Sequence, residues 1–140
     1  MALNFNEMLE AAFVAMKKES KMAELYQAFT GKEMKAMQVV FRGDMKYDSY
    51  IVLVDNEGKT AIKGLGSPYL EDVVIHPPLK ISEVEAEEAL ANAGYSTDWK
   101  TLTLRSPLYS VHYPPLYIYE IENVGFIAVD STDASNVFQM

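Results

Sequence analysis

Apolar residues recur at helical spacing near the start of the chain. Met8, Ala12 and Met16 fall on one side of a helix, because they are separated by one turn each. Asn4 and Glu7 precede and overlap this stripe with the spacing of a capping box. The pattern therefore predicts a helix that begins after Asn4.

A second apolar stripe follows, but it is rotated relative to the first. It consists of Met22, Leu25, Tyr26 and Phe29. The rotation is about one residue, which is ~100° of helix, and it predicts a kink or a second helix capped by Ser20. We expect this helical region to end at Thr30 and Gly31, since glycine suits the left-handed position after a helix.

A further helix is predicted after residue 80. Ser82 and Glu85 form its capping box, and Gly94 ends it. Its expected buried stripe is Val84, Ala89, Leu90 and Ala93.

The remaining segments are β-branched, aromatic or alternating, and they predict strands. Residues 55–58 give the clearest hairpin turn, and residues 122–125 give a similar one. The predicted strands cover residues 37–41, 50–54, 59–63, a short stretch at 73–75, 99–105, 116–121, 126–129 and 136–139.

The order of a helix followed by strands occurs twice along the chain. At an offset of 63 Arg42 aligns with Arg105, and at an offset of 67 Gly58 aligns with Gly125. Such self-similarity predicts an α+β fold, a tandem αβββ repeat with the helices packed on one face of an antiparallel sheet. We expect a single domain over residues 1–140, made of similar units at 1–66 and 81–140 with a linker at 67–80.

In this arrangement the tyrosines of the strands are expected on the open face of the sheet, where they would meet a partner. The face would carry Tyr47, Tyr50, Tyr117 and Tyr119. Tyrosine and tryptophan are enriched at interface hot spots, although alternating tyrosines also occur on packed sheet faces. The candidate binding residues are Tyr50, Trp99, Tyr109, His112, Tyr113, Tyr117 and Tyr119.

Composition narrows the choice of partner. The chain has 140 residues, a net charge of −8 and no cysteine. The Lys and Arg residues form no block, so we expect no nucleic-acid partner, and disulfides and thiolate sites are excluded. No signal-peptide pattern and no run of ~18 apolar residues occurs, which predicts a cytoplasmic protein that does not bind a membrane.

Candidate chemistry is sparse. His76 and His112 are the only histidines, and they lack metal-ligand or catalytic spacing. Glu85 and Glu88 lie one turn apart, but a carboxylate metal site needs further oxygen ligands, so a solvated helix face is the simpler interpretation. We therefore assign no catalytic residue, no metal ligand and no cofactor.

The duplicated order of helix and antiparallel strands resembles the fold of the beta-lactamase inhibitor protein, and the second unit resembles the PepSY domain. The known tandem inhibitor has disulfides, which this chain cannot form, and the run from residue 132 to 137 departs from the PepSY ending. The resemblance implies a protein that binds other proteins, as an inhibitor or regulator. The residues that carry it are Ile81, Ser82, Glu83, Glu85, Ala86, Ala89, Leu90, and the segments 117–121 and 128–132.

The sequence thus favours a non-enzymatic protein-binding module, of inhibitor or immunity type, that uses the tyrosine-rich sheet face and the loop 106–115. One alternative is a carrier of a small apolar ligand in a cavity between helix and sheet. Another is an enzyme of unrecognised class, marked by a histidine beside a buried carboxylate. The exposed edges of the sheet would also allow a homodimer.

Overall fold

The computed structural model of the protein describes residues 2–21, 23–44, 46–67, 72–107 and 114–140. Within these residues the chain forms two helices and nine strands. The helices are α1 (Phe5–Glu19) and α2 (Glu83–Asn92). The strands are β1 (Leu25–Gly31), β2 (Ala36–Arg42), β3 (Ser49–Asp55), β4 (Thr60–Leu65), β5 (Asp72–Val73), β6 (Thr101–Pro107), β7 (Leu116–Ile121), β8 (Gly125–Asp130) and β9 (Asp133–Gln139).

Eight strands lie side by side in one antiparallel sheet, in the order β4-β3-β2-β1-β6-β7-β8-β9. The central pair, β1 and β6, joins the first half of the chain to the second, with Ala28 opposite Leu104. The short strand β5 pairs with the end of β6, and Ile75 makes an isolated bridge to Leu25. The α+β class and the antiparallel sheet are as predicted.

Both helices begin with the capping boxes that the sequence predicts. The Asn4 side chain accepts a hydrogen bond from the Glu7 amide at 2.9 Å, and Ser82 accepts one from the Glu85 amide at 3.3 Å. These bonds satisfy donors that have no partner inside the helix. Gly94 has a φ of +92°, as expected for the residue after a helix.

The two helices cover the same face of the sheet. Helix α1 packs against β2, β3 and β4, whereas α2 packs against β8 and β9. The helices meet near their N-terminal ends, where the Asn6 side chain accepts a hydrogen bond from the Glu83 amide at 2.8 Å. Phe5 also contacts Tyr117 edge to face, with ring centroids 6.0 Å apart. One hydrophobic core therefore lies between both helices and the sheet.

The helix predicted to follow α1 is wrong, because residues 25–31 form β1. Ser20 is the C-cap of α1 instead, and its amide donates to the Met16 carbonyl at 2.8 Å. In β1 the residues Leu25, Ala28 and Thr30 are buried, and a bulge after Leu25 changes the period that the sequence pattern shows. Pairing with β2 and β6 on both sides outweighs the weak local preference for helix.

The other predicted strands and turns are confirmed, with boundaries that agree within three residues. In the turn after β3, the Asp55 carboxylate accepts from the amides of Glu57 and Lys59, each at 2.9 Å. Gly58 there has a φ of +90°, a conformation that favours glycine. Asn123 and Gly125 take positive φ values in the turn between β7 and β8.

The predicted αβββ repeat is not confirmed in that form. Each helix is followed by four strands in the sheet order, not three. The residue pairing behind the repeat is also wrong, because Gly58 follows β3 whereas Gly125 follows β7. Counted outward from the central β1–β6 pair, β3 corresponds to β8, so the alignment was displaced by one strand.

Two of the core positions predicted for α2, Val84 and Ala93, are wrong, because both residues are exposed. Val84 is 52% exposed, whereas the glutamate beside it, Glu83, is buried. The buried side of this helix consists of Glu83, Ala86, Ala89 and Leu90. Neither helix of the described chain is long and apolar enough to cross a membrane.

Candidate functional site

One face of the sheet, opposite α1 and α2, is covered by neither of the described helices. Residues directly opposite each other on paired strands share a face, so the strand registers define a row of side chains that crosses all eight strands. We call this the uncovered row: Ala61, Leu53, Gln38, Phe29, Thr103, Ile118, Ala128 and Phe138. The uncovered row contains no charged residue.

Large apolar side chains are exposed on this face. Leu53 is 51% exposed and Phe29 is 39% exposed in the uncovered row itself, and Phe126 of β8 is 50% exposed beside it. Toward β7 and β8 the face is buried by its own small cluster of Leu116, Ile118 and Ala128, with Phe138 packed against it. The exposed and buried members together form an apolar strip across the sheet.

A groove of about 480 Å³ lies on this strip. That volume falls in the range of roughly 300–1,000 Å³ that ligand sites occupy. Its polar end is formed by Gln27 and Arg105 in adjacent strands, and its floor by Phe29 and Ile118. Thr103 lies beside the floor, and the far end is formed by Phe126 and Met140. The groove therefore changes from cationic to apolar along its length.

The charges around the strip are mixed in sign, although the protein as a whole is acidic. Lys63, Arg42 and Arg105 occupy positions on this face, and so do Glu120 and Asp130. Arg42 lies 3.5 Å from Glu24, and Glu120 accepts a hydrogen bond from the Thr101 hydroxyl at 3.0 Å. The net charge of −8 is therefore carried mainly elsewhere, including the four glutamates of α2.

The predicted placement of the tyrosines on the open face is wrong. Tyr50, Tyr117 and Tyr119 are 2%, 0% and 0% exposed, and they lie under the helices. Their strand positions alternate with those of the uncovered row, so the pleat points them to the other side. Trp99 is also buried, with its ring 5.4 Å from that of Tyr119 and the Lys32 ammonium 4.7 Å from its own centroid. None of these four can form a binding surface.

The hydroxyls of Tyr50, Tyr117 and Tyr119 each have a polar partner, which explains why these tyrosines are tolerated in the core. Tyr50 donates to Asp44 at 2.8 Å, and Tyr117 donates to the Ile81 carbonyl at 2.6 Å. Burial raises the pKa of Tyr117 to about 12. These hydroxyls tie the sheet to the segments that precede α2 and β3, which is a structural role.

Glu83 is the one carboxylate in the described part of the core beneath the helices. It is 3% exposed, and its carboxylate accepts a hydrogen bond from Tyr119 at 2.9 Å. The pKa of Glu83 is raised to about 7, mainly by burial and in part by the negative charge of Glu87, while the hydrogen bond from Tyr119 opposes the shift. Burial also raises the pKa of Tyr119 above the usual value. Because the pair is enclosed, it stabilises the position of α2 rather than meeting a substrate.

The other predicted positions contribute no site that the structure describes. Tyr109, His112 and Tyr113 lie outside the described residues, as does most of the loop 106–115. His76 is exposed on the segment that precedes α2. In the described ranges no group of three or more acidic or histidine side chains is arranged to hold a metal ion, and this includes Glu85 and Glu88.

Sequence reasoning missed the three most exposed apolar residues of the sheet face. Phe29 was assigned to a helix, although Gln27, Phe29 and Gly31 alternate with Leu25, Ala28 and Thr30 once the bulge is allowed for. Leu53 and Phe126 were assigned to strands, but the hydrophobic neighbours on both sides concealed which face they occupied. A strand that is apolar on both faces gives no alternation to read.

No protein-family model matches the chain, and no curated protein matches it. Among solved structures, the chain is similar to a protein from Clostridium difficile 630 described as a "putative lipoprotein". The TM-score is 0.65 at 16% sequence identity, over 99% of this chain and 91% of that one. At this identity the likeness shows a shared fold: an α+β architecture with an antiparallel sheet.

Proposed function

We propose that the protein is a non-enzymatic protein-binding module, and that its binding surface is the uncovered sheet face rather than the tyrosine face. The observation that carries the proposal is the exposure of Phe29, Leu53 and Phe126 on one face of a rigid sheet. Several large apolar side chains exposed on one face are typical of interaction sites.

The chemistry of this face fits a protein partner. Interface cores are apolar and poor in charge, with polar residues at the rim, and the uncovered row is uncharged with Lys63, Arg105, Glu120 and Asp130 in the neighbouring rows. The face is also carried by strands that pair on both sides, so little ordering is required on binding. An inhibitor or immunity-type role belongs to this proposal and would follow from the identity of the partner.

The test compares arginine substitutions that are matched for exposure. In one variant Leu53→Arg and Phe126→Arg alter the uncovered face, at positions 51% and 50% exposed. In the control Val14→Arg and Val84→Arg alter the helix side, at positions 49% and 52% exposed. Tagged wild type and both variants are crosslinked in lysate of the source organism, and the captured proteins are compared by quantitative mass spectrometry.

We expect a partner that the wild type and the helix-side control capture equally and that the sheet-face variant loses. With that partner purified, its affinity should fall at least about tenfold for the sheet-face variant, because hot-spot residues each contribute about 1–2 kcal/mol or more. Equal capture by both variants, or loss only in the helix-side control, would contradict the proposal. Circular dichroism verifies that both variants are folded.

The structure gives less support to the carrier alternative. A carrier of the predicted kind needs a cavity between helix and sheet, and in the described residues that space is filled by side chains that are 0–2% exposed, including Phe5, Met8, Met16 and Trp99. A hollow of about 170 Å³ lies between α1 and Leu79, below the usual size of a ligand site. The enzyme alternative required His76 or His112 beside a buried carboxylate. His76 is exposed and Glu83 is enclosed, and His112 lies outside the described residues.

The proposal includes two further elements. The two halves are interpreted as repeats of one helix-plus-sheet unit, supported by the matching capping boxes and by the order of strands outward from the β1–β6 pair. The protein is placed in the cytoplasm, which rests on the sequence pattern alone. The proposed activity requires no partner other than a protein. It also does not require a homodimer formed through the edges of the sheet.

A further inference from the structure

The groove on the uncovered face has a polarity gradient whose length follows from the strand registers. Gln27 and Arg105 are opposite each other, and Phe29 and Thr103 form the next pair on the same face. Phe126 lies opposite Glu120, which is one more step along the strand from Ile118. Each step of two residues is about 6.8 Å, so the cationic and apolar ends are separated by roughly two steps, about 13 Å along the strands.

The geometry points to an extended protein segment as the occupant, one that carries an aromatic or large aliphatic residue and an acidic residue on the same side of its chain. This inference rests on the proposed function and names the partner chemistry for that same face. The apolar side chain would lie against Phe126 and Met140, and the carboxylate would meet Arg105. Alternate residues of an extended chain point to one side and each residue rises ~3.4 Å, so a separation of about 13 Å places the two residues four positions apart.

At the end of the groove formed by Arg105, charge complementarity favours an acidic group over a basic or neutral one, whereas a carboxylate, Glu120, lies opposite Phe126 at the other end. Arg105 is the cationic residue that lines the groove, in a protein whose net charge is −8. A guanidinium carries five N–H donors in a planar fork whose geometry matches a carboxylate. A basic segment would place its charge beside Arg105 and would be disfavoured.

The depth and size of the groove favour a side chain over a flat contact. Ile118 is 6% exposed and forms a floor, while Phe29 and Phe126 are 39% and 50% exposed. An aromatic side chain that enters the groove beside Phe126 would cover part of this apolar floor. Deep pockets that take an aromatic anchor are typical of interface hot spots.

The experiment titrates two synthetic hexapeptides, acetylated and amidated, into the isotope-labelled full chain. The peptides share one phenylalanine and differ only four residues later, where one has glutamate and the other has glutamine. Backbone chemical shifts of Phe29, Thr103 and Ile118 report occupancy of the groove. We expect the glutamate peptide to bind about tenfold more tightly, and Arg105→Gln to remove that preference. Lys63→Gln, which alters a lysine on the same face but four strands away, should leave it unchanged.

Arg105→Lys separates charge from geometry and should retain part of the preference. Equal binding of the two peptides, no binding of either, or an equal loss in the Arg105 and Lys63 variants would overturn the inference. Binding of 6-phenylhexanoate without binding of either peptide would assign the groove to a small amphipathic acid and would also overturn it. Because no cellular partner is used, failure here is distinguishable from failure of the proposed function, which is measured by capture with the Leu53 and Phe126 variants.

Discussion

The two faces of the sheet differ in how their aromatic and apolar residues are used, although they alternate along the same strands. One step along from the uncovered row lies a covered row beneath the helices: Ile62, Val52, Val39, Ala28, Leu104, Tyr117, Val129 and Val137. The covered row is buried at its six central positions, whereas the uncovered row is exposed from β4 to β1. Both are apolar, so hydrophobicity alone does not tell which side the helices cover.

The two faces differ in whether their aromatic side chains carry hydrogen-bonding groups. On the covered face the hydroxyls of Tyr117 and Tyr119 reach the Ile81 carbonyl and Glu83, so they tie the sheet to the start of α2. On the uncovered face the exposed residues Phe29, Leu53 and Phe126 carry no polar atom. The tyrosines therefore connect the sheet to the start of α2, whereas the two phenylalanines and the leucine are exposed.

The largest difference in unfolding free energy is expected between alanine variants of two phenylalanines on neighbouring strands. Phe41→Ala removes a side chain that is 0% exposed and packs edge to face with Phe13 at 5.3 Å, so unfolding free energy should fall by about 3–5 kcal/mol. Phe29→Ala on the uncovered face should change it by less than about 1 kcal/mol. Urea titration of both variants measures the difference, and equal losses would show that the faces are not distinct.

An intermediate effect on stability is expected from ionisation of the buried Glu83 carboxylate. Because the folded pKa of Glu83 is about 7 and its ordinary value is 4.5, the unfolded chain releases this proton first as pH rises. The contribution of Glu83 to stability is therefore complete below about pH 4.5 and is lost as pH rises through 7, by up to about 3 kcal/mol. Other charges that face the carboxylate are Glu87 and Lys32.

Denaturation midpoints measured from pH 4 to 8 check this prediction. Glu83→Gln keeps an acceptor for Tyr119 and should flatten the pH dependence in this window. The matched change Glu88→Gln, on the exposed side of α2, should retain it. A wild type whose stability rises between pH 5 and 7 would contradict the assignment.

The smallest effect should come from single hydroxyl groups. Tyr117→Phe removes the donor to the buried Ile81 carbonyl, so it should destabilise by about 1–2 kcal/mol. Tyr47→Phe, at a tyrosine that is 36% exposed, should be neutral within about 0.5 kcal/mol. Thermal unfolding of the pair sharpens the comparison, and a neutral Tyr117 variant would mean that the covered face does not depend on this bond.

Several elements could be predicted because their determinants are local. The capping boxes at Asn4 and Ser82, the positive φ of Gly94 and the hairpin turn at residues 55–58 each depend on neighbours within four residues. Strand β1 could not be predicted in this way. A bulge after Leu25 shifts the alternation in residues 25–29, so their apolar positions happen to match helical spacing. The conformation is decided instead by pairing with β6, about 75 residues away.

The sequence by itself determined an α+β domain with two capped helices and a set of antiparallel hairpins, since propensity, capping and turn chemistry act over a few residues. Only the tertiary structure decided that Tyr117 and Tyr119 point to the helices while Phe29 and Phe126 point to solvent. The side on which a residue lies depends on strand register, and a shift of one residue reverses it. In strands that are apolar on both faces, the register is set by which face the helices α1 and α2 cover, and that information is not local.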